Sequence, residues 1–362
     1  MMIRTKNARQ PKASGMAHSR LPVAVMGCGY WGPNLIRNFN ACRRTRVAAV
    51  CERDADRLRR VKELAPRARL YQRPESVFDD PDIEAVVIAT PAATHAELAH
   101  AALEAGKHVL VEKPLATSVR DAEKLVAAAE ARDRILMVDH TFLFSPAIRK
   151  IKELIDEGQL GEILYFDSVR INLGLFQRDV NVLWDLAPHD LAIVDLLLGR
   201  APQSLTAIAS CHASAGLEDV CHLHLDFGDS VTAAFHVNWL SPVKVRHLII
   251  GASKRSIVYN DLNHSEQVKV YDRGISVAED PEAKRGVLIN YRTGDAWSPH
   301  LEQEEPLQNV VRHFADCITS GRVPVSDGQA GLRIVRILQA AQESIQGQGA
   351  RVLLPKRLTL AA

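Results

Sequence analysis

The chain has 362 residues and a mass of 40.0 kDa, a size that favours two domains over one. Its formal net charge of +2 and pI near 8.2 give no indication of nucleic-acid binding, and no apolar run approaches the length of a membrane span. The six cysteines are scattered without a Cys-x-x-Cys pair, and several lie in predicted strands. We therefore expect buried free thiols, no disulfide and no metal site, which indicates a cytoplasmic protein.

Residues 1–20 differ in composition from the rest of the chain. They are basic, contain no Asp or Glu, and have no apolar core of the length that a secretory signal needs. We expect a disordered basic leader there. Met16 is an alternative start, and a transit peptide is another explanation of the same composition.

Residues 21–33, LPVAVMGCGYWGP, begin with an apolar run that predicts a parallel strand buried on both faces. A G-x-G-x-x-G motif follows, in which Gly27 permits a tight turn, Gly29 lets the backbone approach a pyrophosphate, and Gly32 lets helix and strand pack closely. The helix that starts here would point its free backbone N–H groups at the pyrophosphate anion. A glycine-rich structural turn is the alternative. The cofactor contacts predicted here are Gly27, Gly29, Tyr30, Trp31 and Gly32.

A second apolar strand, residues 47–51, ends in Glu52, and Glu52 follows Gly32 by 52 − 32 = 20 residues. An acid at this spacing binds the adenosine ribose hydroxyls in Rossmann folds. Its charge would repel a 2′-phosphate, so it favours NAD, although Arg53 beside it could bind that phosphate and NADP stays open. A solvated loop carboxylate is the alternative for Glu52.

Strands and helices alternate as far as residue 140, which predicts a doubly wound parallel sheet and a dinucleotide-binding domain over residues 21–140. Ligands bind beyond the carboxyl ends of such strands. Thr90 and Pro91 could line the nicotinamide ribose there, whereas His95 is expected to order its own loop more often than to do chemistry. The further cofactor contacts predicted at these strand ends are His95, Glu112 and Lys113, and His140 is a predicted substrate contact.

Lys113 follows a buried strand and precedes a proline, which pushes it to an extended conformation and so fixes the direction of its side chain. A lysine between nicotinamide and substrate can bond the reacting hydroxyl and stabilise developing oxyanion character. The alternative is an ordinary surface lysine.

Asp185 and His189 are four residues apart and so share one face of a helical turn. A histidine suits proton exchange with an alcohol as hydride leaves the carbon, and the aspartate could bond the substrate or orient the imidazole. A capped helix with a surface histidine and a pair of metal ligands are the alternatives, but no third ligand has helical spacing nearby.

From residue 141 to 362 the pattern predicts a second domain with an open, mainly antiparallel sheet, because several strands alternate apolar and polar residues. A helix is predicted over 188–198, and helices over 307–320 and 328–345 are expected to pack back on the first domain. Arg170 and Asn172 share one strand face and could meet substrate, while the histidines of the sheet follow its two-residue period and do not indicate a metal site. The predicted substrate contacts are Lys113, His140, Arg170, Asn172, Asp185 and His189.

Four segments together carry a family resemblance: GCGYWG at 27–32, AVVIATPAATH at 85–95, AGKHVLVEKP at 105–114 and WDLAPHD at 184–190. After residue 21 the chain resembles the Gfo/Idh/MocA family of sugar oxidoreductases over nearly its whole length. The resemblance implies a Rossmann domain, a C-terminal α/β domain and dimers or tetramers formed through its sheet. It also implies catalytic roles for Lys113, Asp185 and His189. Glu52 departs from the aspartate of many members, and the leader has no counterpart in the family pattern.

The segment VDHTFLFSPAIRKIKEL, residues 138–154, resembles members of nucleotide-sugar and surface-polysaccharide pathways, similar to UDP-N-acetylglucosamine 3-dehydrogenases. We therefore expect hydride transfer between NAD and a ring carbinol of a nucleotide-activated sugar. The alternatives are a free polyol dehydrogenase of the inositol or glucose type and a dinucleotide-binding regulator without turnover. The sequence names neither the sugar, nor the carbon oxidised, nor the direction.

Overall fold

The computed structural model describes residues 20–355 except 175, 178, 214–215, 278–288 and 293. The predicted basic leader and Met16 lie outside the described residues, apart from Arg20. In the described part of the chain, no helix is both long enough and apolar enough to cross a membrane.

A parallel six-stranded sheet carries the first half of the chain, which confirms the predicted Rossmann architecture. The strand order is β3-β2-β1-β4-β5-β6. Successive strands are added on one side of β1 up to β3 and on its other side from β4 onwards, and ligands bind beyond the strand ends at such a switch point. The strands are β1 (Leu21–Met26), β2 (Thr45–Cys51), β3 (Arg69–Tyr71), β4 (Ala85–Ile88), β5 (His108–Glu112) and β6 (Leu136–Asp139). The helices are α1 (Gly32–Ala41), α2 (Ala55–Leu64), α3 (Glu75–Phe78), α4 (His95–Glu104) and α5 (Val119–Ala131).

A nine-stranded sheet forms the second half. Its strands are β7 (Ile163–Leu173), β8 (Ser204–Ser210), β9 (Val220–Asp226), β10 (Thr232–Asn238), β11 (Leu240–Ala252), β12 (Ser256–Asn260), β13 (Val268–Tyr271), β16 (Ala296–Trp297) and β17 (Val352–Leu353); β14 (Gly274–Val277) and β15 (Ile289–Arg292) pair separately. The order is β16-β13-β12-β11-β7-β10-β9-β8-β17. Every pair is antiparallel except β7–β10, so the prediction of a mainly antiparallel sheet is confirmed.

One face of this second sheet is covered by α7 (Val182–Leu198), which packs on β7, β9 and β10. The prediction that this helix begins at Pro188 was wrong, because the helix begins six residues earlier at Val182. Asn181 caps it by accepting a hydrogen bond from the Trp184 N–H at 3.2 Å. Pro188 therefore lies inside the helix, where its missing N–H leaves the Trp184 carbonyl without its usual helical donor. The early start is what places Asp185 in the first turn of α7.

The remaining helices join the two halves: α6 (Pro146–Asp156), α8 (Pro306–Ser320) and α9 (Gly328–Gln346). Helix α8 packs against α1, and α9 packs against α5 and β6 on one side and α7 and β8 on the other. Just before α9, Ser326 pairs with the backbone of Val138 in β6, donating from its hydroxyl at 2.7 Å and accepting at its carbonyl from the Val138 N–H at 2.8 Å. These contacts hold the carboxyl end of β6 close to α7.

The cysteines are all free, as predicted, but not all buried. Cys28, Cys51, Cys221 and Cys317 are buried, the side chain at position 42 is half-buried, and Cys211 is exposed. The expectation of buried thiols fails at Cys211 because it lies just after β8 ends, outside the alternating strand pattern.

Candidate active site

The glycine loop after β1 is packed tightly at two of its three glycines. Gly27 has a φ of +91°, and a Cβ there would lie 2.6 Å from the Ala89 carbonyl oxygen. A Cβ at Gly32 would lie 2.1 Å from the Gly27 carbonyl oxygen. At Gly29 a Cβ would meet no other atom of the described chain within 4 Å. The chain's own packing therefore requires glycine at 27 and 32, whereas position 29 faces open space of the kind that a phosphate could occupy.

Glu52 points into this loop. One carboxylate oxygen, Oε2, accepts a hydrogen bond from the Cys28 N–H at 2.7 Å, and Oε1 accepts one from the Asp54 N–H at 3.0 Å. The carboxylate is thereby held beside the open space at Gly29, which suits a ribose diol and disfavours a 2′-phosphate. Tyr30 is 80% exposed, Trp31 is 40% exposed, and Arg53 is also exposed.

Lys113 joins the two halves of the molecule. Its ammonium Nζ donates to the Asp185 carboxylate Oδ1 at 2.8 Å and to the Asp185 backbone carbonyl at 2.6 Å. The other carboxylate oxygen, Oδ2, accepts from the indole N–H of Trp239 at 3.1 Å. The Lys113–Pro114 peptide bond is cis. The lysine at the end of β5 and the aspartate in the first turn of α7 thus form one mostly buried ion pair, with side chains 12% and 17% exposed.

His189 lies one turn after Asp185 in α7. Its ring packs edge-on against Phe142, with the ring centroids 5.0 Å apart. Burial lowers the pKa of His189 well below its usual value, and the neighbouring charges of Lys113 and Arg170 lower it further. The ring is therefore neutral at neutral pH and can accept a proton.

Arg170 and Asn172 both lie in β7 but have different surroundings. Arg170 is 3% exposed and makes two hydrogen bonds with the Asp190 carboxylate, at 2.7 and 2.8 Å, while its guanidinium lies 4.5 Å from the Phe142 ring centroid. The Arg170 guanidinium is therefore paired with Asp190 and packed on Phe142, and its contact with substrate stays a prediction. Asn172 is half-buried next to Gly174, where the ring of Trp239 also lies.

The loop after β4 is tied to the turn that carries Lys113. Buried His95 contacts the Thr90 carbonyl with Nε2 at 2.9 Å and the Pro114 carbonyl with Nδ1 at 2.8 Å. Burial lowers the pKa of His95, so the neutral ring donates to one carbonyl at a time. Thr90 also accepts at its hydroxyl from the Thr94 hydroxyl at 2.7 Å, and Pro91 immediately precedes a short 3-10 turn. His95 thus connects these two loops, and its contact with the cofactor stays a prediction.

Glu112 and His140 occupy the ends of β5 and β6 and are both buried. Glu112 lies opposite Asp139 in the strand register, and burial together with the Asp139 charge raises the pKa of Glu112 well above its usual value. Glu112 is then the protonated partner that donates to the Asp139 carboxylate. Burial raises the pKa of Asp139 to about 6 and, with Lys113 nearby, lowers that of His140 to about 3.

Two aromatic residues that sequence reasoning did not select belong to the site. Trp239 donates to the Asp185 carboxylate, and Phe142 contacts both the His189 ring and the Arg170 guanidinium. Phe142 lies in the segment 138–154, which resembles the nucleotide-sugar members of the family. Nothing in the local sequence marks Trp239 as a site residue, because it only follows the alternating strand β10. No cluster of three or more His, Cys, Asp or Glu side chains suited to a metal ion occurs among the residues that the structure describes.

Two family models match the chain in order. The model described as "Oxidoreductase family, NAD-binding Rossmann fold" matches residues 21–140, and the "GFO/IDH/MocA C-terminal domain" model matches residues 148–258. The cofactor that the first domain binds is therefore a nicotinamide dinucleotide, in agreement with the sequence prediction.

Among individual proteins, an inositol 2-dehydrogenase 2 of Saccharopolyspora erythraea is 36% identical over 200 residues, which cover 54% of this chain and 58% of that protein. The chain spans between 56% and 62% of the length of the curated relatives that it matches at 31% to 36% identity. A solved structure from Magnetospirillum magnetotacticum MS-1, described in general terms as an oxidoreductase, is 31% identical with a TM-score of 0.77, over 89% of this chain and 99% of that one.

A solved UDP-N-acetylglucosamine 3-dehydrogenase, GnnA of Acidithiobacillus ferrooxidans, has the same fold, with a TM-score of 0.77 over 91% of this chain and 99% of that one, at 23% identity. This likeness concerns the fold alone. The two family models match the two sheet-containing parts of the chain in order, and the 31% identical structure covers 89% of this chain. The chain belongs to the Gfo/Idh/MocA family of oxidoreductases.

Proposed function

We propose that this protein is an NAD-dependent dehydrogenase that moves hydride between nicotinamide and a ring hydroxyl or ketone of a sugar. The observation that carries the proposal is the Lys113–Asp185 ion pair, with Nζ and Oδ1 2.8 Å apart. It brings the carboxyl edge of the cofactor-binding sheet to the helix that bears His189. A regulator that only binds a dinucleotide needs the glycine loop and Glu52 but not this assembly.

The glycine loop and Glu52 fit the cofactor, since Gly29 leaves open space and the Glu52 carboxylate lies beside it. Of the predicted contacts, the loop and strand-end residues Gly27, Tyr30, Trp31, Gly32, Arg53, Thr90 and Pro91 would line it. Bound nicotinamide supplies the hydride acceptor or donor. The protein positions the cofactor and the substrate and supplies the charges around the reacting atoms.

Each residue of the assembly has a distinct task in this proposal. His189, neutral because of its burial, accepts the hydroxyl proton during oxidation and returns it during reduction. The Lys113 ammonium bonds the same oxygen and stabilises its developing negative charge. Asp185 holds Lys113 in place through its carboxylate and backbone carbonyl, and Trp239 fixes that carboxylate.

For the substrate, we propose a nucleotide-activated sugar, since residues 138–154 resemble the nucleotide-sugar members. A free polyol is the second candidate, and the 36% identity with an inositol 2-dehydrogenase favours it. The two differ in one requirement. A nucleotide-sugar enzyme needs the nucleotide half of its substrate for binding, whereas a polyol enzyme turns over the free sugar alone.

The test is a turnover assay followed by nicotinamide absorbance, with NAD or NADP and a panel of UDP-sugars, other nucleotide sugars, inositols and free hexoses. Matched variants are Lys113→Met and His189→Asn, which keep volume but remove the ammonium or the basic imidazole. We expect each to lower kcat by roughly 10²- to 10⁴-fold while the Kd for NAD stays within a factor of a few. Turnover restricted to free polyols would overturn the nucleotide-sugar assignment, and tight NAD binding with no turnover by wild type would overturn the dehydrogenase.

Self-association is a separate proposal. The open face of the second sheet exposes Ile208 and Tyr165, 56% and 43% exposed, beside the stacked rings of His222 and His236, 4.3 Å apart. We expect two or four copies to pair through this face. Light scattering of wild type and Ile208→Asp measures it, and a wild-type monomer at micromolar concentration would refute it.

A further inference from the structure

Arg246 is a half-buried cation of the second sheet that the sequence did not mark as a site residue. It lies in β11 opposite Arg170 of β7 in the strand register, so the two side chains point to the same face of the sheet. Helix α7 packs on that face, because Arg170 pairs there with Asp190 of α7. Strand β11 is the next strand beyond β7, and Arg246 keeps 30% of its side chain exposed.

The Arg246 guanidinium is held in place, but most of its N–H groups are unused. Its Nη1 donates to the Asp261 carboxylate at 2.9 Å, and the Asp261 backbone N–H donates to the Arg246 carbonyl at 3.1 Å. The other oxygen of the Asp261 carboxylate accepts from the Tyr259 hydroxyl at 3.0 Å, so two donors share one carboxylate. Among the described residues neither Nε nor Nη2 of Arg246 has a partner; Nε is buried, whereas Nη2 stays accessible to solvent.

The ring of Phe142 connects Arg246 with the candidate proton acceptor. The ring centroids of Phe142 and His189 are 5.0 Å apart, and the guanidinium carbon of Arg246 lies 6.0 Å from the Phe142 centroid. All three side chains are half-buried. A substrate whose reacting carbon lies at His189 therefore has the Arg246 guanidinium close to another part of the same molecule.

The same face of β7 extends towards the Lys113–Asp185 ion pair. Asn172 shares this face with Arg170, and two residues along a strand span roughly 7 Å. A Cβ at Gly174 would lie 3.2 Å from the Asn172 amide nitrogen and 2.8 Å from the Trp239 ring, so these two side chains are neighbours. Trp239 in turn donates to the Asp185 carboxylate. The face is thus long enough for a sugar ring together with a substituent.

The unused donors of Arg246 favour an anionic ligand group. Arg170 is buried and makes two hydrogen bonds with a carboxylate of its own, that of Asp190, whereas Arg246 makes one hydrogen bond with a carboxylate that it shares. A guanidinium forms its shortest and strongest hydrogen bonds with the oxygens of carboxylates and phosphates. A neutral polyol offers hydroxyl oxygens alone and does not need this cation.

We propose that Arg246 binds an anionic oxygen of the substrate, which makes the substrate a sugar that carries a phosphate or carboxylate group. The oxygen belongs either to the diphosphate of a nucleotide sugar or to the carboxylate of a sugar acid. This inference rests on the proposed dehydrogenase and names the substrate class of the same site. It assigns Arg246 to substrate binding and leaves proton transfer to His189.

The test compares Arg246→Gln with the matched control Arg255→Gln. Each variant removes one arginine charge from the second sheet, but Arg255 directly precedes β12 whereas Asp261 directly follows it. The Arg255 guanidinium lies 5.1 Å from the Trp297 ring centroid, away from Phe142. Arg246→Lys is a second variant that keeps a cation beside Asp261. Thermal unfolding establishes that each variant folds.

The readout without turnover is isothermal titration of the protein saturated with NADH, so that the cofactor already occupies the glycine loop. The probes are UDP, glucuronate and, as the neutral sugar, glucose. We expect one of the two anions to bind wild type and Arg255→Gln equally and Arg246→Gln roughly ten- to a hundredfold more weakly, as for the loss of a hydrogen bond between charged groups. Arg246→Lys should lose less, and glucose should show no difference. A loss with UDP identifies the diphosphate, and a loss with glucuronate identifies the carboxylate.

With a substrate found in the panel above, Arg246→Gln should raise KM roughly ten- to a hundredfold and lower kcat by much less. A merely structural role for Arg246 predicts instead lower kcat and lower Tm, with neutral and anionic sugars affected alike. Unchanged anion affinity in Arg246→Gln, or no binding of either anion to wild type at millimolar concentration, would overturn the proposal. Absence of turnover by wild type with every sugar would count against the dehydrogenase alone, since the titration still decides whether Arg246 binds an anion.

Discussion

Replacing Gly29 with alanine separates the packing of the glycine loop from its binding of a phosphate. A Cβ at position 29 meets no chain atom within 4 Å, so the folded state tolerates it. Stability should be unchanged or rise by up to about 1 kcal/mol, because alanine restricts the unfolded chain more than glycine does. If the pyrophosphate approaches the backbone here, the same methyl group obstructs it. We expect the Kd for NAD to rise at least about tenfold, or about 1.4 kcal/mol.

Gly32→Ala is the contrasting variant. Its Cβ would lie 2.1 Å from the Gly27 carbonyl oxygen, and a backbone atom cannot turn aside as a side chain can. We expect destabilisation of about 3 kcal/mol, at the upper end for overpacking, and a Tm lower by several degrees.

Isothermal titration with NAD and thermal unfolding are run on both variants and on wild type, and each variant then gives one change in NAD affinity and one change in Tm. Neither measurement requires a known substrate. If Gly29→Ala binds NAD within twofold of wild type while remaining folded, the pyrophosphate does not lie at Gly29. If Gly32→Ala is as stable as wild type, the close approach of α1 to the loop does not require glycine.

Three further outcomes test other parts of the site. Trp239→Phe removes the N–H that donates to Asp185 and should lower kcat/KM about tenfold, as expected for one hydrogen bond to a charged group. The Kd for NAD should stay unchanged. An equal loss of NAD affinity would contradict this role of Trp239. Glu52→Ala should weaken NAD at least about tenfold and shift preference towards NADP, and titration showing an unaltered NAD/NADP ratio would refute the role of the carboxylate. Glu112→Gln replaces the protonated acid by an amide that still donates to Asp139. Because the folded pKa of Glu112 is raised, the folded state keeps a proton that the unfolded state loses above about pH 4.5, so wild-type stability should fall with pH by up to about 1.4 kcal/mol per unit. The Tm of the variant should lack that part of the decline, and parallel Tm–pH curves for the two proteins would contradict the buried acid pair.

Much of the architecture is readable from local patterns. The apolar run before the Gly27 turn, the acid at Glu52 and the regular alternation of strands and helices are each short-range features, so they predict a parallel sheet and a dinucleotide site without tertiary information. The same holds for the alternation in β9, where Cys221 and Leu223 are buried and His222 between them is exposed. The start of α7 was missed because a proline is usually taken to mark the first turn.

The assembly of the site depends on contacts between distant parts of the chain. Lys113 and Asp185 are 72 residues apart, and Trp239 meets Asp185 from a further 54 residues away. Propensity and periodicity report which face of its own element a residue occupies, but not which side chain from another element will lie opposite. That is decided when α7 packs on the second sheet and its Asp185 meets Lys113.

His140 shows the same difference between what the local sequence predicts and what tertiary packing decides. From the sequence it is a polar residue at the end of a parallel strand, which predicts a ligand contact. Only the tertiary structure reveals that it is 2% exposed and that its ring nitrogens have no hydrogen-bond partner among the described residues. The sequence by itself determined the two sheets, the glycine loop and the type of chemistry, because these follow from local residue patterns. The ion pair and the aromatic supports were decided by packing, because burial and distance are properties of the folded chain as a whole.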